Sequence, residues 1–186
     1  MARTPSSMVE LNSKAPEFRL LDTIDTKHKT DHELFGAKAT VVMFICNHCP
    51  FVIHVNPMLV KLAHEFPNQG VRWIAISSND ALQYPQDGPD KMKIQAQKEG
   101  YVFPYLYDKT QEVAKAYDAT CTPDFFVYDS NRLLVYRGQL DDSRPQNGIP
   151  LTGNDLRNAI KALLNNQPIT TIQKPSIGCN IKWKKA

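Results

Sequence analysis

Val41-Val42-Met43-Phe44-Ile45-Cys46-Asn47-His48-Cys49-Pro50 decides how this chain is read. Five apolar residues rich in β-formers run straight into a Cys-x-x-Cys. Beyond it, Phe51/Val52, Val55, Met58/Leu59, Leu62/Ala63 and Phe66 recur every three or four residues, which buries one face of a helix. An unbroken apolar run marks a strand covered on both faces, as in a parallel sheet. The dithiol therefore stands where a buried strand turns into a helix. At that end, unpaired backbone N–H groups and the macrodipole favour an anion. A thiolate is such an anion. Pro57 falls inside the helix while the apolar spacing continues through it, so a kink is expected there.

Upstream, Gly36-Ala37-Lys38 is a turn that launches the central strand, and Glu17 to Asp22 with the polar Thr23–His32 return forms an N-terminal β-hairpin. Residues 1–14 are polar, carry Pro5-Ser6-Ser7, and are expected to be a flexible N-terminus. Downstream, Val71 to Ile76 is a second strand, parallel to the first through a right-handed crossover. The polar stretch Ser77–Asp90 leaves the same end of the sheet as the dithiol. A helix from Asp90 to Glu99 closes on Gly100, Tyr105 to Tyr107 is a strand, and Thr110 caps a helix from Gln111 to Tyr117. Asp124–Tyr128 and Leu133–Arg137 flank the turn Asp129–Arg132 as a hairpin, so the sheet is mixed. A last amphipathic helix follows Asn154. The expected fold class is α/β, a mixed central sheet flanked by helices. One domain spans 15–166, and a tail (167–186) without an assignable period packs on it or extends from it.

With 186 residues, 42% of them hydrophobic, the chain can bury a single substantial core. The formal net charge of +3 owes much to Lys174, Lys182, Lys184 and Lys185, which leaves no basic stripe for nucleic acid. No apolar run approaches the roughly 20 residues of a membrane span, and residues 1–15 lack the apolar core of a secretory signal. A cytoplasmic location is expected. In that setting four cysteines point to redox or metal work rather than a disulfide scaffold. Zinc wants four ligands, and a second close Cys/His pair is missing, so no metal is expected. The rival from another class is a Cu(I)- or Zn-binding module using Cys46, Cys49 and His48 or His54.

Four motifs together carry a resemblance. They are Cys46-Asn47-His48-Cys49-Pro50-Phe51-Val52, Thr122-Pro123-Asp124-Phe125-Phe126-Val127, Arg137-Gly138-Gln139-Leu140-Asp141-Asp142-Ser143-Arg144-Pro145, and Pro175-Ser176-Ile177-Gly178-Cys179-Asn180-Ile181-Lys182-Trp183. Over about residues 15 to 185 the chain resembles thioredoxin-fold redoxins of the alkyl hydroperoxide reductase/thiol-specific antioxidant group, relatives of the peroxiredoxins. The resemblance implies a thioredoxin-like fold and a thiol–disulfide oxidoreductase. Cys46 would be the nucleophile and Cys49 the resolving thiol. Asn47, Pro50, Thr122 and Pro123 would contact substrate, with Pro123 after a cis peptide that offers a backbone edge to an extended partner segment. It implies no cofactor beyond a redox-active Cys46–Cys49 disulfide. The partners implied are a protein or small-molecule disulfide and a thiol reductant, either thioredoxin reductase or the glutathione system.

Two departures bear on activity. Peroxiredoxins also have Cys-Pro where Cys49-Pro50 stands, but their Pro and Thr/Ser positions hold Val42 and Cys46 here, and no Arg stands near Pro123-Asp124 to polarise peroxide. A thiol peroxidase is therefore the alternative activity. The strand before the dithiol also lacks the buried acid that serves thioredoxin as proton acceptor, so a base must come from elsewhere. His48, as an imidazolium between the sulfurs, would stabilise a thiolate and hence the reduced form. The expected potential is about −250 to −180 mV, less negative than that of thioredoxin, with a Cys46 pKa below about 7. Cys121, two residues before Pro123, is the candidate third thiol. Cys179 lies in the unassigned tail, and Asp141, Asp142 and Arg144 are expected to make local turn and capping bonds.

Overall fold

The computed structural model describes residues 3–185. The first stretch quoted above becomes β4 (Ala39–Phe44), and every one of its residues is buried. It lies between β5 (Val71–Ser77), parallel to it, and β8 (Asp124–Asp129), antiparallel. The alternation of the pleat explains why no polar residue interrupts it: Val41, Met43 and Ile45 pack into one apolar cluster, while Val42 and Phe44 pack into a second on the opposite face. Val41 through Ile45 are all 0% exposed. Burial stabilises each large side chain by about 1.5–3 kcal/mol.

The seven-stranded sheet is completed by β2 (Arg19–Asp22), β3 (His28–Thr30), β6 (Tyr105–Tyr107) and β9 (Leu134–Gly138), in the order β3-β2-β6-β5-β4-β8-β9. The β2–β3 pair is the expected N-terminal hairpin, and β8–β9 the expected second one. One face is covered by α2 (Pro50–Glu65), α3 (Pro89–Glu99) and α5 (Asn154–Leu164); the other by the residues around α1 (Asp31–Leu34) and α4 (Glu112–Ala116). The α2 helix continues through Pro57 as a single element. Gly100 ends α3 in the left-handed conformation, φ 72°. The α4 helix starts one residue later than expected, because Gln111, not Thr110, is its N-cap. The Gln111 amide reaches the carbonyls of Ser78 and Lys182 instead. No helix among the described residues is long and apolar enough to cross a membrane.

The N-terminal segment departs from expectation, and the tail packs on the domain as a strand. The segment read as flexible contains β1 (Arg3–Pro5), and the tail contains β10 (Ile177–Asn180). With β7 (Cys121–Thr122) they form a second, antiparallel sheet in the order β1-β10-β7. Three further bonds fix the N-terminal segment: Ser6 N–H donates to Ser176 O (2.8 Å), Ser7 Oγ to Asp118 O (2.8 Å) and Thr120 Oγ1 to Pro5 O (2.9 Å). The strands of this second sheet are two to four residues long, too short for a period to show.

Candidate active site

The helix begins at Pro50 with Cys49 as its N-cap. Cys46 lies before the first turn, so it is Cys49 rather than Cys46 that receives the N-terminal field. Both are buried, Cys46 at 2% exposure and Cys49 at 0%. Thr122 binds both. Its hydroxyl shares a 3.5 Å hydrogen bond with Cys46 Sγ, and its carbonyl accepts from Cys49 Sγ at 3.1 Å. The Thr122–Pro123 peptide is cis.

The charges are distributed otherwise than the sequence suggested. Cys46 is held well above its ordinary pKa, chiefly because its thiol donates to Cys49, and then by burial and the nearby Asp87 carboxylate. Cys49 is correspondingly lowered, first by that hydrogen bond from Cys46, with further help from Cys179 and the Val52 N–H. The two thiols titrate as a pair, and Cys49, whose S–H points at the Thr122 carbonyl, is the first to lose its proton. The expectation of a low Cys46 pKa is thus corrected. The capping position and the hydrogen bonds belong to its neighbour.

Asp87 is the residue the sequence reading missed. It closes a 3-10 turn (Pro85–Asp87) in the long loop after β5 and is 0% exposed. A buried carboxylate is tolerated only with partners, and three converge on it. Asn47 N–H donates to Oδ1 (2.8 Å), Asn79 Nδ2 donates to Oδ2 (2.8 Å), and His48 Nδ1 lies 2.6 Å from Oδ2. A buried acid is thus present near the dithiol, on a different element from β4. An acid between Pro85 and Gly88-Pro89, in a loop expected at the dithiol end, was the only available signal. His48 also stacks on Tyr84, ring centroids 5.5 Å apart and planes 5° from parallel.

Asn47 spends most of its hydrogen bonds within the protein. Its Nδ2 donates to Gln86 O (2.7 Å), its Oδ1 accepts from Tyr105 OH (3.1 Å), and its N–H is taken by Asp87. It braces the loop. Pro50 opens α2, half-buried. The edge that Thr122 was expected to offer a partner segment is already paired, since Cys179 stands directly opposite Thr122 in the β10–β7 register. Cys121 turns its thiol to Pro123 O (3.7 Å), and burial, then Asp124, pushes its pKa up. The thiol beside the dithiol is instead Cys179, which is hydrogen-bonded with Cys49.

His54 binds Ser143 Oγ at 2.8 Å, and Asp141 accepts from Ser143, Thr152 and Gly153 N–H groups, the local role expected of it. Among the described residues one group could hold a metal: Cys46, His48 and Asp87, with ligand atoms within 4.8 Å of one another. Cys49 and His54 are not in it. Its carboxylate already binds Asn47, Asn79 and His48.

Residues 11–137 match the AhpC/TSA family. The chain belongs to that family. As an AhpC/TSA redoxin it is similar to an uncharacterized conserved protein from Geobacillus kaustophilus, at 55% identity over 100% of this chain and 98% of that one, TM-score 0.98. A hypothetical protein from Sinorhizobium meliloti is 45% identical over 98% and 100%, TM-score 0.96. The thioredoxin domain of a thiol-disulfide oxidoreductase from Bacteroides vulgatus, 18% identical over 84% and 99%, superimposes with TM-score 0.66. At that identity the likeness shows the thioredoxin-like fold of this redoxin. Among proteins of curated function, none matches the chain.

Proposed function

We propose that this redoxin is a thiol–disulfide oxidoreductase in which Cys46 attacks and Cys49 resolves. The observation that carries the reading is the geometry of the dithiol: two thiols at a strand–helix junction, both held by Thr122 beside a cis proline. Cys46 keeps the residual exposure and attacks a substrate disulfide, passing its proton to the Cys49 thiolate as the new Cys46–sulfur bond forms and the first substrate thiolate leaves. Cys49 then gives up that proton, with the departing thiolate or the His48–Asp87 pair as acceptor. It attacks Cys46, releases the second thiolate and closes the Cys46–Cys49 disulfide. No cofactor takes part. Because β10 occupies the backbone edge at Thr122, small disulfides or narrow segments fit this mouth better than a strand laid on β7. The reductant is a thiol of the glutathione or thioredoxin type, and a cytoplasmic setting suits the dithiol.

The test is trapping. Cys46→Ser should abolish insulin disulfide reduction, and Cys49→Ser should accumulate mixed disulfides through Cys46. Peroxide turnover by Cys46→Ser protein that is lost in Cys49→Ser would favour the second reading, a thiol peroxidase. That reading is supported by one fact: Cys49 caps α2 and holds the charge.

A further inference from the structure

The second sheet puts a third thiol into the site. Cys179 faces Thr122 across the β10–β7 ladder, and Thr122 is the residue that holds both Cys46 and Cys49. The approach is close enough to require glycine next to it: a Cβ on Gly178 would lie 2.0 Å from Thr122 O and 2.6 Å from its carbonyl carbon. The result is a contact between the Cys179 and Cys49 thiols, both buried. The strand that carries Cys179 lies along the edge where an extended disulfide substrate would otherwise pair.

We propose that Cys179 is a second resolving thiol, which moves the disulfide from Cys46–Cys49 to Cys49–Cys179. The step rests on the oxidoreductase reading and starts from its oxidised product. Cys179 sulfur attacks Cys49 sulfur, the Cys49–Cys179 bond forms, the Cys46–Cys49 bond breaks, and Cys46 leaves with the electron pair. The proton lost by Cys179 goes to Cys46. No oxidant is consumed, because one disulfide replaces another. The exchange restores Cys46 as a thiol while the oxidising equivalent is stored beneath it, on β10. Cys121, turned toward Pro123, takes no part.

Peptide mapping separates the linkages. Trypsin places Cys46 and Cys49 together in residues 39–61 and Cys179 in residues 162–182, with Cys121 in neither. After oxidation in graded glutathione buffers and acid quenching, the wild-type protein should yield a linked pair of these two peptides, with fragmentation placing the bond at Cys49. In Cys46→Ser, oxidised glutathione should add to Cys49 and be expelled as Cys179 closes on it. In Cys46→Ser/Cys179→Ala the adduct should persist about tenfold longer or more, since the intramolecular attacker is gone. Equal adduct lifetimes in the two folded variants, with no linked peptides from wild type at any poise, would overturn the proposal. If Cys46→Ser does not fold, the wild-type map decides alone. A wild type that reduces insulin and forms Cys46–Cys49 but never the linked pair sinks the relay and leaves the oxidoreductase reading standing. A wild type in which Cys46–Cys49 never forms sinks that reading instead, and the Cys46→Ser arm still reports on Cys179.

Discussion

Asp87 and the Cys49 thiolate set the electrostatics of this site, and they act on Cys46 in the same sense. The carboxylate lifts the Cys46 pKa, so Asp87→Asn should lower it and, in the alkaline range where Cys46 ionises, stabilise the reduced form and make the potential less negative. Thiolate absorbance against pH and equilibration with glutathione read both quantities; movement in opposite senses would exclude the electrostatic account. His48→Pro removes the cation-capable partner and should shift the potential the other way. The paired titration also fixes a pH dependence. Cys49 is lowered to about 5, so below that pH reduction takes up two protons with two electrons, and above it one. The potential should fall by about 59 mV per pH unit on the acid side and about 30 mV above. A single slope through pH 5 would show that the pair does not ionise there. Of these residues the cysteines were legible because they are adjacent in sequence on a recognisable strand–helix junction. Asp87 was not, because its partners Asn47, His48 and Asn79 come from other elements or a different turn, and an acid in a polar loop has no signature of its own.

At the scale of elements, β4, α2 and the second hairpin were readable because each is long enough to print its period, and the short first hairpin because its two strands are close in sequence. The β10 strand has four residues, including Gly178 and Asn180, and owes its conformation to β1 and β7. Tertiary pairing decides it, and no local propensity announces such a strand. Gly178 is its most sensitive point. Gly178→Ala drives a methyl into Thr122 and should destabilise the protein by about 1–3 kcal/mol, as overpacking does. Denaturant unfolding gives the loss, and the same variant should show faster alkylation of Cys179 than wild type. An unchanged midpoint would mean that β10 can withdraw without cost.

Across the whole molecule, the second sheet ties β1 to β10 and both to the dithiol. Removing residues 1–8 takes away β1 and the bonds from Ser6, Ser7 and Pro5. At about 0.5–1.5 kcal/mol for each net hydrogen bond, a loss of about 2–4 kcal/mol is expected by urea titration. It should come with an exposed outer edge on β10 that favours self-association. Full stability after truncation would show that β10 stands on β7 alone. The order of synthesis gives the same sheet another meaning. On the ribosome Cys46 and Cys49 emerge with β4 and α2, long before β10 is made. A nascent chain therefore carries the thiol pair with an open edge at Thr122 once β7 has formed, and β10 closes it. The newborn protein and the finished one differ in what they can react with, and translation itself is the step that separates them.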